Sequence, residues 1–180
     1  EEVGKYTDTP DLTYTKAVKA SDIYKDLALG STIDKKDVTV YINGEEAEDA
    51  AVVLKKSNDA KIGKDYLEKS GKKYSTAKNG VLTEVFYDND NDSVVITEVN
   101  TYVGTITKTV KATDKKDAYV VVAPESEKPT NFKNEFETDD KFEDDDYVLY
   151  TYSLKEKEIE SVAAATKVEG TVTVAENSVT

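Results

Sequence analysis

Apolar side chains recur at every second position in several short segments, a spacing that predicts β-strands with one buried face. The clearest segments are 38–42, 81–87, 94–109, 119–122 and 147–154. They are rich in Val, Ile, Thr and Tyr, which fit a pleated, half-buried surface. The pattern predicts a mainly β fold of antiparallel small barrel or sandwich units, because a parallel sheet would need regular helices between its strands.

Turn signals separate these segments. Asn43-Gly44 follows the first one and is the dipeptide that most strongly favours a two-residue hairpin turn. The acidic tip, residues 88–92, joins the strand ending at Tyr87 to a long strand over 93–109. Gly104 lies inside that long strand and predicts a bulge or a bend there.

The remaining segments are less regular, and at most short helices are expected in them. One short helix is predicted to start near Ser21-Asp22, with Ser21 as its cap and Gly30 at its end. The Lys-rich stretch 55–80 predicts a long loop with a helical turn near Tyr66-Leu67. Residues 159–165 and 167–175 alternate again and predict further strands.

The order of these segments suggests three parts. They are an N-terminal segment, 1–30, a first β unit, 31–103, and a second β unit, 104–180, divided near Gly104. Residues 102–107 and 167–173 each place a Gly before Thr-aliphatic-Thr, which leaves open whether the two units are repeats. The chain does not begin with Met and shows no signal-peptide pattern, so we expect a segment of a longer protein.

The residue types that the chain lacks narrow its chemistry. It has no Cys, His, Met, Trp, Arg or Gln. Without Cys there is no disulfide, thiolate zinc site or thiol nucleophile, and without His the usual proton carrier near neutral pH is missing. Paired carboxylates could in principle cleave a glycosidic bond, but no Trp is present to line a sugar cleft. We therefore expect no enzyme, no catalytic residue and no cofactor beyond weakly bound Ca²⁺.

Charge and hydropathy exclude two kinds of partner. The net charge of −13 would repel a nucleic-acid backbone and an anionic membrane surface. No apolar run approaches the roughly 20 residues that a membrane-spanning helix needs. We expect no nucleic-acid binding and no membrane insertion.

The acidic tip is the best metal candidate in the sequence. Asp88, Asp90 and Asp92 are spaced like the first three ligands of a calcium loop, and carboxylate oxygens suit Ca²⁺. The pattern then departs from that loop, because Ser93 stands where the turn glycine should be and Val99 where the bidentate Glu should be. The sequence favours a weak and general calcium effect over a tight site.

A second acidic run covers 135–146 and includes Phe136 and Phe142. The two phenylalanines are predicted to anchor this run to the body of the protein. Its carboxylates suit diffuse, weak binding of divalent cations, but charge runs of this kind are more often solvated loops.

One stretch resembles a known family. Residues 85–103, VFYDNDNDSVVITEVNTYV, resemble repeats in cell-surface proteins of Gram-positive bacteria that carry S-layer homology (SLH) domains. Residues 136–154 and 168–173 also look like the non-anchoring regions of those proteins. The chain departs from them at Asn91-Asp92-Ser93, where those regions carry a Gly and a further Asp. No SLH anchoring module is recognisable in the chain.

The resemblance implies an extracellular location, at the cell surface or in the cell wall. It implies a non-catalytic structural or spacer module. The alternative is a carbohydrate- or protein-binding module whose partner is an unidentified surface protein or glycan. An exposed row of Tyr on one sheet face would favour binding, and a deep cleft holding two carboxylates would favour a hydrolase.

Overall fold

The computed structural model describes residues 9–16, 18–48, 50–56, 67–69, 72–74, 81–125 and 131–166. Over these ranges the chain is mainly β, as predicted, with one short α-helix, α1, at Ala20–Asp26. The strands are β1 Leu12–Tyr14, β2 Val38–Ile42, β3 Glu45–Glu46, β4 Ala50–Ala51, β5 Leu67–Lys69, β6 Lys72–Tyr74, β7 Val81–Asp88, β8 Ser93–Asn100, β9 Tyr102–Val110, β10 Tyr119–Pro124, β11 Glu135–Glu137, β12 Tyr147–Ser153 and β13 Glu158–Ala164.

The first sheet has the strand order β1-β7-β8-β2-β3. The predicted hairpins are both present, β7–β8 around the acidic tip and β2–β3 around Asn43-Gly44. Both residues of the second turn have positive φ, 48° and 79°, the twist that a two-residue hairpin turn requires. β2 pairs with β8 in parallel, which is an exception to the predicted antiparallel arrangement. The chain between them, 43–92, far exceeds the dozen or so residues that a parallel crossover needs.

Helix α1 covers one face of the first sheet. Ala20 and Ile23 are buried in the same core as Val85 and Ile96 of the sheet, and Leu27 packs against that core. Tyr14 of β1 donates its hydroxyl to Oδ2 of Asp26 at 2.9 Å. The helix is therefore held by apolar burial along its length and by one hydrogen bond at its last residue.

The helix was predicted correctly, but both of its predicted ends were wrong. Lys19 is the N-cap, and its backbone N–H donates to the Asp22 carboxylate at 3.2 Å, so that Ser21 lies inside the helix. The Asp22 carboxylate, three residues after the cap, accepts the N–H of the cap residue itself, as the acid of a capping box does. The helix ends at Asp26 rather than at Gly30, because Ala28 already has a positive φ of 54°.

The second sheet has the order β11-β10-β9-β12-β13, with every pair antiparallel. Its two outer strands approach each other, since Lys133 bridges to Glu158 and its N–H donates to the Lys157 carbonyl at 2.9 Å. The sheet therefore nearly closes into a small barrel around its core.

Gly104 does not cause the bulge that the sequence predicted there. It pairs regularly with Pro124 and Val148, and the register shifts instead where Val121 and Val122 face Lys108 and Ile106. A Cβ on Gly104 would lie 2.6 Å from Cγ1 of Val122, so the glycine permits close packing between strands.

The predicted long strand over 93–109 is in fact two strands. Thr101 separates β8 from β9, and the two strands belong to different sheets. No Pro and no two-residue turn signal such as Asn-Gly stands at Thr101, which is why the sequence pattern missed the break. The division of the chain near Gly104 stays a prediction, three residues after this change of sheet.

Two segments expected to be loops contain strands. β5 and β6 pair with each other and with β4 in a three-stranded antiparallel sheet, so Leu67 lies in a strand rather than in a helical turn. β11 begins the second acidic run and pairs with β10, because backbone pairing does not depend on the charge of outward side chains. The strand predicted over 167–175 lies outside the described residues.

Candidate functional site

The acidic tip closes the β7–β8 hairpin, and hydrogen bonds within the turn occupy two of its carboxylates. Oδ1 of Asp88 accepts the backbone N–H of Asp90 at 2.9 Å, and its Oδ2 accepts the side-chain amide of Asn91 at 2.7 Å. Oδ1 of Asp92 accepts the hydroxyl of Tyr87 at 2.9 Å. These bonds stabilise a turn with positive φ at Asp92 without any cation.

No group of three or more Asp or Glu side chains in the described ranges is arranged to hold a metal ion. The weak calcium site at Asp88, Asp90 and Asp92 therefore stays a prediction of the sequence. Bound calcium would have to compete with the turn's own hydrogen bonds for Asp88 and Asp92.

The second acidic run lies along the second sheet. Phe142 is buried in the core of that sheet and Phe136 packs against it, so the predicted aromatic anchors are confirmed. The run is also fixed through its backbone. Asp145 donates its N–H to the carbonyl of Ile106 at 2.8 Å, and the carbonyl of Asp146 accepts the N–H of Ile106 at 2.9 Å.

A cluster of aromatic rings fills one end of the second core. Tyr102 stacks on Tyr152 with ring centroids 4.9 Å apart, and it lies 5.7 Å from Tyr150. Phe132 meets Tyr152 edge-on at 5.4 Å. Tyr150 and Tyr152 are only 1% and 8% exposed, so these tyrosines form core and not an exposed binding row.

Burial in this cluster changes the acidity of the phenols. Desolvation raises the pKa of Tyr150, and the neighbouring Tyr102 raises it further. Desolvation also raises the pKa of Tyr152, which donates its hydroxyl to that of Tyr102 at 3.3 Å. Both shifts favour the neutral form of the phenols.

One residue in the turn of the β2–β3 hairpin, Asn43, is buried where the two sheets meet, whereas Gly44 beside it is exposed. Asn43 is 3% exposed, although hairpin turns usually face water. Its backbone N–H donates to the carbonyl of Glu98 at 2.8 Å, and its Oδ1 accepts the backbone N–H of Asn100 at 2.8 Å. These bonds tie the turn to β8 of the first sheet.

The same turn also contacts the second sheet, and we call this set of contacts the Asn43 junction. The carbonyl of Asn43 accepts the backbone N–H of Leu154 at 2.8 Å, and its Nδ2 donates to the hydroxyl of Tyr102 at 3.2 Å. Gly44 lies against Ser153, where an added Cβ would be 3.0 Å from the serine Oγ. The junction therefore joins the two sheets through backbone and side-chain hydrogen bonds.

The outer face of the second sheet carries an exposed apolar patch. It consists of Val103 on β9 with Tyr147 and Leu149 on β12, which are 43%, 62% and 38% exposed. Leu149 pairs with Val103 on one side and with Ala163 of β13 on the other. These three neighbouring side chains are uncharged, although 34% of the residues in the chain are charged.

The sequence missed the most important of these residues. Asn43 was predicted only as a turn residue, since Asn-Gly in a hairpin carries no sign of what packs over it. The exposed patch was missed as well, because alternation does not show which face of a nearly closed sheet is inside. For Tyr150 and Tyr152, the sequence predicted only that they share one face of a strand with Val148.

Comparison with known proteins adds no relative. No protein-family model, curated protein or solved structure matches the chain. None of the helices among the described residues is long and apolar enough to cross a membrane.

Proposed function

We propose that the chain is a non-catalytic structural or spacer module of an extracellular bacterial surface protein, of the kind that carries SLH domains elsewhere. The observation that supports it is the Asn43 junction. Two β units that follow each other along the chain are joined by the single residue Thr101 and held together by hydrogen bonds from the buried Asn43. Such an arrangement resists bending between units, which a spacer requires.

The use of the aromatic residues also supports a structural role. Tyr102, Tyr150 and Tyr152 contact one another inside the second sheet, where they stabilise the fold rather than a ligand. The −13 net charge keeps such a module soluble and makes nucleic acid its least favoured partner.

Labelling of intact source cells tests the location. A membrane-impermeant amine reagent should modify the chain's lysines on intact cells to the same extent as after lysis, as for other surface proteins. A cytosolic marker protein is the control and should be labelled only after lysis. Labelling of this chain only after lysis would contradict the extracellular proposal.

Domain replacement tests the spacer role. In the parent protein, this segment is exchanged for an unrelated folded β module of similar length, and surface display of the rest of the protein is measured. A spacer should be replaceable without loss of display or of the parent's binding. Loss of binding on replacement, with display intact, would show that the segment itself recognises a partner.

The apolar patch favours a second candidate, a binding module for an uncharged glycan of the cell wall. Tyr147 offers an exposed ring for stacking on a sugar, and Val103 and Leu149 extend the flat surface beside it. Neutral sugars would not be repelled by the acidic chain.

Co-sedimentation with insoluble cell-wall polysaccharide distinguishes this candidate from the spacer. If the patch binds glycan, the wild-type chain should sediment and Tyr147→Ala should stay in solution. Tyr41→Ala, on the first sheet, is the matched control and should still sediment. A wild-type chain that stays in solution would leave the spacer as the supported function.

A further inference from the structure

The two sheets are linked covalently at one point. Thr101 alone separates the last residue of β8 from the first residue of β9, and its side chain is exposed. One residue provides two soft backbone dihedrals, which suffice to swing one sheet relative to the other. Such a link fixes the distance between the sheets but not their angle.

The angle is fixed by the Asn43 junction. From one residue, hydrogen bonds run to Glu98 and Asn100 of the first sheet and to Tyr102 and Leu154 of the second. The side-chain amide contributes on both sides, since its oxygen binds the first sheet and its nitrogen binds the second. An amide can do this because it carries a carbonyl acceptor and an NH₂ donor on separate atoms, whereas a carboxylate offers only acceptors and an ammonium only donors.

Two further features suit this turn to its position. Asn and Gly both adopt positive φ at low cost, so the turn carries little backbone strain. Gly44 then lets the turn approach Ser153 more closely than a larger residue would. The hydroxyl of Tyr102, which accepts from Asn43, also accepts from Tyr152 in the aromatic cluster.

We propose that the Asn43-Gly44 turn is a latch that holds the two sheets at one angle, with Thr101 as the hinge that moves when the latch is released. The latch is a property of the fold and does not depend on the proposed surface location. It holds the two sheets as one rigid body through the backbone and the side chain of a single residue.

Distance measurements between spin labels on the two sheets test the latch. The chain has no Cys, so Asn89→Cys at the acidic tip and Lys141→Cys in the second acidic run would be the only labelled sites of the full-length chain. Pulsed electron paramagnetic resonance should give one narrow distance distribution for this doubly labelled chain. Asn43→Gly, which keeps the backbone freedom but removes the amide, should broaden the distribution at least twofold.

Asn131→Gly is the matched control. Asn131 is exposed and has a similar positive φ of 60°, so the same substitution should leave the distribution narrow. Tyr102→Phe is a milder second variant. It removes the hydroxyl that accepts from Asn43 but keeps the ring, and it should broaden the distribution even if Asn43→Gly fails to fold.

Amide hydrogen exchange reports on the junction without spin labels. In the wild-type chain, the Leu154 amide should be protected to the same degree as amides inside β12. In Tyr102→Phe its exchange should be at least tenfold faster, while the amides inside β12 stay protected. A broad distance distribution in the wild-type chain, or distributions and exchange rates that are the same in wild type and Tyr102→Phe, would overturn the latch.

Discussion

The two five-stranded sheets cover their inner faces in different ways. The first sheet is covered by helix α1, and among the described residues the buried hydrophobic residues of its core are all aliphatic, with Ile23, Leu54, Val85 and Ile96 among its members. The second sheet has no helix in the described ranges. It nearly closes on itself and fills its interior with aromatic as well as aliphatic side chains, including Tyr150, Tyr152 and Phe142.

The difference shows how side-chain size determines the way a sheet is covered. A helix packed on a sheet leaves a thin layer that small branched residues fill completely. A sheet of few strands that nearly closes fills its interior with its own inward side chains, and the rings of Tyr and Phe can reach across it. The same chain therefore contains both arrangements, a sheet covered by a helix and a sheet that nearly closes on itself. The placement of the aromatic residues along the chain determines which arrangement each sheet adopts.

Truncation of Ile23 should have the largest effect and should be confined to the first sheet. Ile23 is 1% exposed, and Ile23→Ala leaves a cavity between α1 and the sheet, with a loss of about 2–5 kcal/mol in the free energy of unfolding. Urea unfolding measures the loss, and hydrogen exchange locates it at β7 and β8. Leu149→Ala, on the exposed patch, should change stability by less than about 0.5 kcal/mol. An equal loss of protection in β9 and β12 would show that the two cores unfold as one unit.

Gly104→Ala tests the close packing of the second sheet. The new Cβ would lie 2.6 Å from a Val122 methyl and 3.0 Å from the carbonyl oxygen of Ala123. Relief of these clashes requires movement of the backbone, so the variant should lose about 1–3 kcal/mol. Gly30→Ala is the control, since no atom lies within 4 Å of its added Cβ. Equal thermal stability of the two variants would contradict the tight packing at Gly104.

Local patterns predicted the strands that alternate and have good turns. The β7–β8 hairpin, β10 and β12 follow from branched residues at every second position, and the β2–β3 turn follows from Asn-Gly. Helix α1 was predictable from its apolar spacing. Its ends were not, because Ser21 and Asp22 both suit a helix start and only the fold decides which of them accepts the bond from Lys19.

Long-range arrangement was not predictable from these patterns. No Pro or two-residue turn signal separates β8 from β9 at Thr101, so the sequence pattern does not show that the chain changes sheet there. The parallel pairing of β2 with β8 joins segments about 50 residues apart, as the register of Val38 with Val94 shows. The junction at Asn43 depends on both of these features, so it could not be predicted from local patterns.

Alkaline pH should destabilise the aromatic core. The pKa values of Tyr150 and Tyr152 are raised in the folded chain by burial, whereas an unfolded tyrosine has a pKa of about 10. Stability is therefore complete below pH of about 10 and falls above it, by up to about 1.4 kcal/mol per pH unit for each tyrosine. Urea unfolding at a series of alkaline pH values measures this slope. Tyr152→Phe should make the slope shallower, and an unchanged slope would exclude Tyr152 as its source.

The smallest effect concerns two tyrosine hydroxyls, one in each sheet. The hydroxyl of Tyr150 is buried and has no hydrogen-bond partner among the described residues, whereas that of Tyr14 donates to Asp26. A buried hydroxyl without a partner costs free energy, so Tyr150→Phe should leave stability unchanged or raise it by up to about 1 kcal/mol. Tyr14→Phe removes the bond to α1 and should lower stability by about 1 kcal/mol. Thermal unfolding of both variants at neutral pH gives the comparison. The packing of Tyr150 indicates that the size of its ring stabilises the second sheet. Destabilisation by Tyr150→Phe would show instead that its hydroxyl does.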